Sequence, residues 1–399
     1  MDDMGAAMAR GDMLMLGGGN PGRIPKVESL FRERMQRILQ TPDEFERLIG
    51  NYGPPGGNMA FREALAELLK STYGWNITAG NIALTNGSQS AFFMLFNLFA
   101  GPCPDTKVRK ILLPITPEYI GYADAGLSDD LFISIPPRIE QVDEHSFKYR
   151  LDFDALSVND DIGAVCVSRP TNPTGNVLTD DEVAVLQDIC RRNNVPLIID
   201  GAYGAPFPHL LFTDAQPIWD PQTIVCLSLS KLGLPGLRTG IILADKWIID
   251  ALCGINAIVN LSTGGAGAAL ALDMVRDGSI LSISKDVIRT FYQRRSDQAI
   301  RTLNHALRGT RFLVHKPEGA MFLWLWLKDL PITCDELYER LKQRGVLVVA
   351  GRYFFPGLRH EWKHPHECIR ITYSQRWHDV EKGLQIIADE VKRAYRELT

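Results

Sequence analysis

Short apolar runs ending in polar loop residues alternate with helix-length amphipathic stretches along most of this 399-residue chain, and that alternation constrains the fold more than any other feature. Strands joined by helices return parallel to one another, and a parallel sheet needs cover on both faces. Candidate strands are 81–84, 108–113, 131–135, 164–168, 196–200, 223–228 and 239–243, with helical patterns such as 61–69 and 180–192 between them. Thr179 and Glu182 have the spacing of a capping box at the start of the latter. From about Ser282 the texture changes. A long charged helix is followed by the apolar run 321–327, a helix near 334–344, strands 346–349 and 369–373, and a final helix. The expected class is α/β: a large domain over 51–281 built on a mainly parallel sheet, and a smaller α+β domain over 282–399 joined by the N-terminal segment 1–50.

Composition narrows the function. Hydrophobic residues make up 45% and charged residues 23% of the chain, which suits a packed globular enzyme. A net charge of -4 gives no electrostatic case for nucleic acid or an acidic membrane surface, leaving small metabolites as partners. The seven cysteines are odd in number and lack C-x-x-C spacing, so neither a disulfide framework nor a zinc site is expected. Cys166 and Cys226 lie in strand-like runs, where a small buried hydrophobe is the expected role. The start, Met1-Asp2-Asp3-Met4, is acidic where a secretory signal is basic, and 321–327 is far too short to span a bilayer. A reducing, cytoplasmic compartment is expected.

The loop after the run 223–228 concentrates chemistry. Ser228, Ser230, Lys231 and Arg238 fall within eleven residues, with Gly233, Pro235 and Gly236 keeping the segment compact. Serine hydroxyls and a forked guanidinium suit a phosphate, while a desolvated lysine near a cation favours its neutral, nucleophilic amine. Together they suit pyridoxal 5'-phosphate, whose aldehyde a lysine can hold covalently. On residue types alone, a surface loop with a solvated lysine accounts for the segment equally well.

Other segments bear on that choice. Asn86-Gly87-Ser88-Gln89, between a strand and the apolar helix 91–99, offers backbone amides at a helix N-terminus for a phosphate, or simply an N-cap by Ser88. Asp200 ends a strand at the same sheet edge as Lys231, where a carboxylate can keep a pyridine nitrogen protonated. Tyr203 and Asn172 can reach a phenolic oxygen, and Tyr119 offers a flat face for stacking or for packing.

In order along the chain, Tyr52-Gly53-Pro54, Asn86-Gly87-Ser88-Gln89, Pro117-Glu118-Tyr119, Asn172-Pro173-Thr174-Gly175, Asp200-Gly201-Ala202-Tyr203, Ser228-Leu229-Ser230-Lys231 and Ile369-Arg370-Ile371 resemble the fold-type I aminotransferases, the family of aspartate aminotransferase. Finer details, such as Leu16-Gly17-Gly18-Gly19-Asn20-Pro21 and 118–126, are similar to the bacterial valine–pyruvate branch of that family. The resemblance implies pyridoxal 5'-phosphate as cofactor, a ping-pong exchange between amino and 2-oxo acids, and a homodimer. It assigns Lys231 the covalent hold on the cofactor and the proton transfers. Asp200 is assigned to the pyridine nitrogen, Asn172 and Tyr203 to the phenolic oxygen, and Tyr119 to the ring face. Ser88, Gln89, Ser228, Ser230 and Arg238 are assigned to the phosphate, with Tyr52 reaching the phosphate of a neighbouring subunit. Arg370 is assigned to the substrate α-carboxylate, with Gly19 and Asn172 nearby. A surface ion pair is the alternative reading of Arg370 from its residue type.

Two departures stand out: Arg238 follows Lys231 by seven residues where many relatives have eight, and Gly201 replaces a polar residue, so no ring contact is expected there. Competing motifs fit less well. Gly17 to Gly22 matches G-x-G-x-x-G, but Pro21 and Pro25 spoil the helix it requires. Ser228 to Lys231 matches S-x-x-K without the partner motifs of penicillin-binding enzymes. The trio His360, His364 and His366 reads as a solvated loop rather than a metal site, and no metal is expected. Lyases and decarboxylases of the same fold remain alternatives, as does a sensor module of the kind found in transcription regulators. The latter is expected to need a preceding DNA-binding segment for which the N-terminus leaves no room.

Overall fold

The computed structural model describes residues 13–359 and 361–397. Its main sheet runs in the order Ile82–Thr85, Gly240–Leu243, Thr223–Ser228, Leu197–Asp200, Ile162–Ser168, Val108–Leu113, with Gly101–Pro102 and Phe132–Ser134 pairing onto the last strand. The strands from Thr223–Ser228 through Phe132–Ser134 pair parallel, while Gly240–Leu243 is antiparallel to both its neighbours. The expected mainly parallel α/β sheet is present, with strand boundaries within two residues of those expected.

Period-two alternation explains why helices cover both faces. Along Thr223–Ser228, Ile224 and Cys226 pack with Phe92, Leu95 and Phe96 of the helix Ser88–Phe99 and with Ile248 and Leu252 of Lys246–Val259. Val225 and Leu227 point the other way, into the core shared with Phe61, Leu65 and Leu69 of Met59–Tyr73. Each such fully buried side chain contributes about 1.5–3 kcal/mol of burial free energy. Cys166 and Cys226 are fully buried and all seven cysteines are free thiols. The capping box forms as expected: Thr179 Oγ1 accepts from the Glu182 N–H at 3.1 Å, and Glu182 accepts from the Thr179 N–H at 2.7 Å. Among the described residues no helix is long and apolar enough to cross a membrane.

A second, six-stranded sheet runs Val349–Ala350, Cys368–Thr372, Phe322–Leu327, Phe312–His315, Ser146–Arg150, Arg138–Gln141. The hairpin Arg138–Gln141 and Ser146–Arg150 joins this sheet from within 51–281, by parallel pairing of Ser146–Arg150 with Phe312–His315. Arg138–Gln141 is exposed throughout, so its strand character comes from backbone pairing and carries no apolar alternation. The run 346–349 is two short strands. Val346–Leu347 pairs with Leu14–Met15, and Val349–Ala350 pairs with Arg370 and Ile369, so the N-terminal segment is stitched beside the strand that carries Arg370.

Within the histidine trio, His364 departs from expectation. His364 is buried in the turn His364–Glu367, stacks on Trp362 at 4.7 Å and hydrogen-bonds the Tyr149 hydroxyl. Aromatic packing of Trp362 and Trp326 encloses it, and burial pushes its imidazole down to about 3. His366 is exposed, while His360, like Met1 to Met4, lies outside the described residues.

Candidate active site

Parallel pairing brings strand ends into line, and chemistry gathers there. Ser168 and Asp200 are register partners, and Ser228 ends the next strand. Asp200 is buried, accepting from the Ala202 N–H at 2.9 Å through Oδ1 and from the Tyr122 hydroxyl at 2.8 Å through Oδ2. Burial pushes its carboxyl up to about 6, against the pull of those two donors and of Lys231.

Lys231 follows in the loop after Ser228. Its Nζ donates to the Gly19 carbonyl at 2.6 Å and lies 5.4 Å from the centre of the Tyr203 ring. Burial pushes its amine down to about 8, with Arg370 and Arg238 acting in the same direction and Asp200 opposing. The expected neutral, nucleophilic lysine therefore has a physical cause: desolvation first, cations second.

Around Ser88 the backbone forms an anion cradle. Gly87 caps the helix Ser88–Phe99 with φ 87°, and its carbonyl accepts from the Ser90 and Ala91 N–H groups. The N–H groups of Ser88 and Gln89 are first-turn donors without an intrahelical acceptor. A Cβ on Gly87 would lie 2.2 Å from Nη2 of Arg238, and one on Gly240 2.7 Å from the Ser88 nitrogen, so both glycines let cation and amides close up. Arg238, itself left-handed at φ 45°, donates to Ser230 Oγ at 3.4 Å, and Ser228 Oγ accepts from the Ser230 N–H at 3.1 Å. The Gln89 side chain turns to the Gly121 carbonyl at 2.8 Å, which leaves its backbone N–H as its contribution to the cradle. Two free amides, two serines and a guanidinium make a phosphate-sized donor set, and this cradle is the feature that fits pyridoxal 5'-phosphate.

At the other end Arg370 is buried rather than engaged in a surface ion pair. It donates to Asn172 Oδ1 and to the Gly17 carbonyl, both at 2.7 Å, while its buried Nε has no acceptor. The guanidinium sits 4.2 Å from the Phe322 ring centre and 5.1 Å from that of Phe354, and burial pushes it down to about 10. A buried arginine with neutral partners and an idle donor suits an incoming carboxylate. Tyr119 lies over Gly121, where a Cβ would meet its ring at 2.5 Å. A Cβ on Gly201 would meet Leu227 at 3.0 Å, a packing reason for the glycine from which no ring contact was expected.

Of the residues expected to act, Lys231 contacts Gly19 and Tyr203, and Arg370 contacts Asn172, while Asp200 and Arg370 reach Lys231 through charge; Ser230 and Arg238 meet beside the Ser88 turn. Tyr52 is 84% exposed. Sequence reasoning missed Tyr122, Ser168 and Glu118, which line up behind Asp200, and the ring faces of Phe322 and Phe354. The spacing of Tyr122, three residues after Tyr119 within one turn, was the available signal for the first.

The aminotransferase class I and II family model matches residues 31–387. The chain is 48% identical over 397 residues to the valine–pyruvate aminotransferase of Escherichia coli (strain K12), covering 100% of this chain and 95% of that protein. Among solved structures it is similar to valine–pyruvate aminotransferase from Salmonella typhimurium, with a TM-score of 0.92 and 49% identity over 100% of this chain and 98% of that one. It is also similar to a putative amino-acid aminotransferase from Psychrobacter arcticum, with a TM-score of 0.97 and 46% identity over 99% and 95% of the two chains. With its fold, its lysine-centred sheet edge and these full-length matches, the chain belongs to the class I and II aminotransferases, within the fold-type I group that uses pyridoxal 5'-phosphate.

Proposed function

We propose that this enzyme exchanges amino groups between L-valine and pyruvate, giving 3-methyl-2-oxobutanoate and L-alanine. Full-length identity of 48% to the Escherichia coli valine–pyruvate aminotransferase carries this reading. The site supports it with one buried arginine placed for an α-carboxylate.

When bound, pyridoxal 5'-phosphate supplies an aldehyde that amines can condense with and a ring that draws electrons from the substrate α-carbon. The protein's own groups do the rest. The Ser88 and Gln89 amides with Ser228, Ser230 and Arg238 would hold the phosphate. Asp200 would keep a proton on the pyridine nitrogen, Asn172 and Tyr203 would hold the phenolic oxygen, and Tyr119 would support the ring face. Arg370 binds the substrate carboxylate, exchanging the Gly17 or Asn172 oxygen for it, with Gly19 beside it. Lys231 Nζ takes the α-proton of the amino acid and redelivers it, which needs the neutral amine that burial favours.

Tyr52, exposed on this chain, reaches the phosphate of the neighbouring subunit in a homodimer. The division into a large unit over 51–281 and a small unit over 1–50 with 282–399 belongs to the same reading, with the hairpin 138–150 reaching across. The enzyme works in the cytoplasm.

Steady-state assays of an amino-donor panel against pyruvate test the substrate assignment. Valine is expected to give the highest kcat/KM, and a strong preference for aspartate or aromatic donors would overturn it. Lys231→Ala is expected to lower turnover by about 10³-fold or more and to remove the absorbance of lysine-bound cofactor; full activity in that variant would sink the assignment of Lys231.

A further inference from the structure

Behind Asp200 lies a buried polar chain. Glu118 is fully buried on the loop after the strand Val108–Leu113. Its Oε1 accepts from the Ser168 N–H at 2.8 Å, and its Oε2 sits 2.5 Å from Ser168 Oγ. Ser168 Oγ is 3.3 Å from the Tyr122 hydroxyl, which donates to Asp200 at 2.8 Å.

Counting protons shows that one of the two carboxyls ending the chain must hold a proton, and the charges around them decide which. A hydroxyl has one hydrogen to donate. With Glu118 ionised, Ser168 spends its hydrogen on Glu118 and Tyr122 spends its own on Asp200, so the link between the two hydroxyls has no proton. With Glu118 protonated, Oε2 donates to Ser168, Ser168 to Tyr122, and Tyr122 to Asp200, and every contact is satisfied. We propose that Glu118 is held as a neutral acid and is a positioning residue, heading a one-way hydrogen-bond chain through Ser168 and Tyr122 that orients and keeps ionised the carboxylate of Asp200.

The surroundings agree. The titratable groups facing Glu118 are Tyr119 and Tyr122 from its own loop, Cys166 from the strand Ile162–Ser168, and Asp200 from the neighbouring strand. None brings a positive charge, whereas Asp200 has Lys231 to favour its charged form. Two buried carboxyls in one network cannot both ionise cheaply, and the one with the cation keeps the charge. Burial pushes Glu118 up to about 8, with Asp200 acting in the same direction and the Ser168 contacts opposing.

The inference rests on the proposed function only where Asp200 meets the cofactor, so its test begins without cofactor. Infrared difference spectra of the full cofactor-free protein at neutral pH, wild type minus Glu118→Gln, are expected to contain the carbonyl stretch of a protonated acid that shifts in D₂O. Loss of carboxylate bands alone would overturn the proposal. Pyridoxal 5'-phosphate affinity of the same proteins is the second readout. Glutamine is a neutral donor and is expected to stay within about threefold of wild type, while Ser168→Ala, which cuts the chain, is expected to bind about fivefold to tenfold more weakly. A glutamine variant as impaired as Ser168→Ala would also overturn it. Failure of the wild-type protein to bind the cofactor would count against the function itself, leaving the infrared result to judge Glu118.

Discussion

The two ends of the site bury opposite charges, and they hold them in different ways. Asp200 sits on the main sheet with both oxygens engaged by nearby donors, the Ala202 N–H and the Tyr122 hydroxyl. Arg370 sits on the second sheet and is held by the Gly17 carbonyl from the N-terminal segment, Asn172 from a main-sheet loop, and the ring faces of Phe322 and Phe354. The first charge is fixed within one rigid edge. The second is gathered from separate segments by neutral groups that a carboxylate can outbid. A resident cofactor needs the former and a ligand that comes and goes needs the latter.

Arg370→Ala is expected to be the strongest break in this contrast. It removes a forked, charge-assisted contact worth about 3 kcal/mol, so KM for both amino acid and oxo acid should rise about 100-fold, with the affinity for pyridoxal 5'-phosphate little changed. Unchanged KM values, or equal loss of cofactor and substrate affinity, would show that the two ends are not separable.

Tyr122→Phe probes the other end with a smaller effect. Losing one hydrogen bond to the Asp200 carboxylate should weaken cofactor binding about tenfold. The pH dependence has a definite sign. Asp200 titrates near 6, above the ordinary aspartate value of 3.8, because burial opposes its charge. Binding that needs the carboxylate therefore falls as pH drops through about 6, and the phenylalanine variant should move that limb upward. Lys231, titrating near 8, gives the opposite limb, with bond formation to the aldehyde accelerating as pH rises through that value. Direct titration of cofactor uptake by the cofactor-free protein checks both limbs. An acid limb unmoved by Tyr122→Phe would mean that Tyr122 does not tune Asp200.

The same contrast explains what the sequence made legible. The strand Thr223–Ser228 and the helix Asp180–Arg192 were found at their observed bounds, because apolar periodicity and a capping box act locally. Ser88, Asp200 and Lys231 announce themselves as polar residues at the ends of apolar runs. The contacts around Arg370 cross the chain, Gly17 to Arg370 and Asn172 to Arg370, and no local pattern encodes them. Arg138–Gln141 failed for a related reason, since an exposed edge strand has no buried face to print a period-two signal. His364 read as solvated because the charge around it is sequential, whereas the rings that enclose it, among them Phe147 and Trp326, come from distant strands.

Phe354→Leu offers the finest test of how the arginine end is held. The Phe354 ring lies 5.1 Å from the Arg370 guanidinium on one side, with Phe322 at 4.2 Å, and both rings favour the cation without offering it an acceptor. Leucine keeps most of the buried volume and removes one ring face. The expected cost is about 0.5–1 kcal/mol, seen as a twofold to fivefold rise in KM for amino and oxo acids alike with kcat preserved. A fall in kcat at constant KM would instead place Phe354 in the handling of the α-proton, and the guanidinium would then owe its position to Asn172 and Gly17 alone.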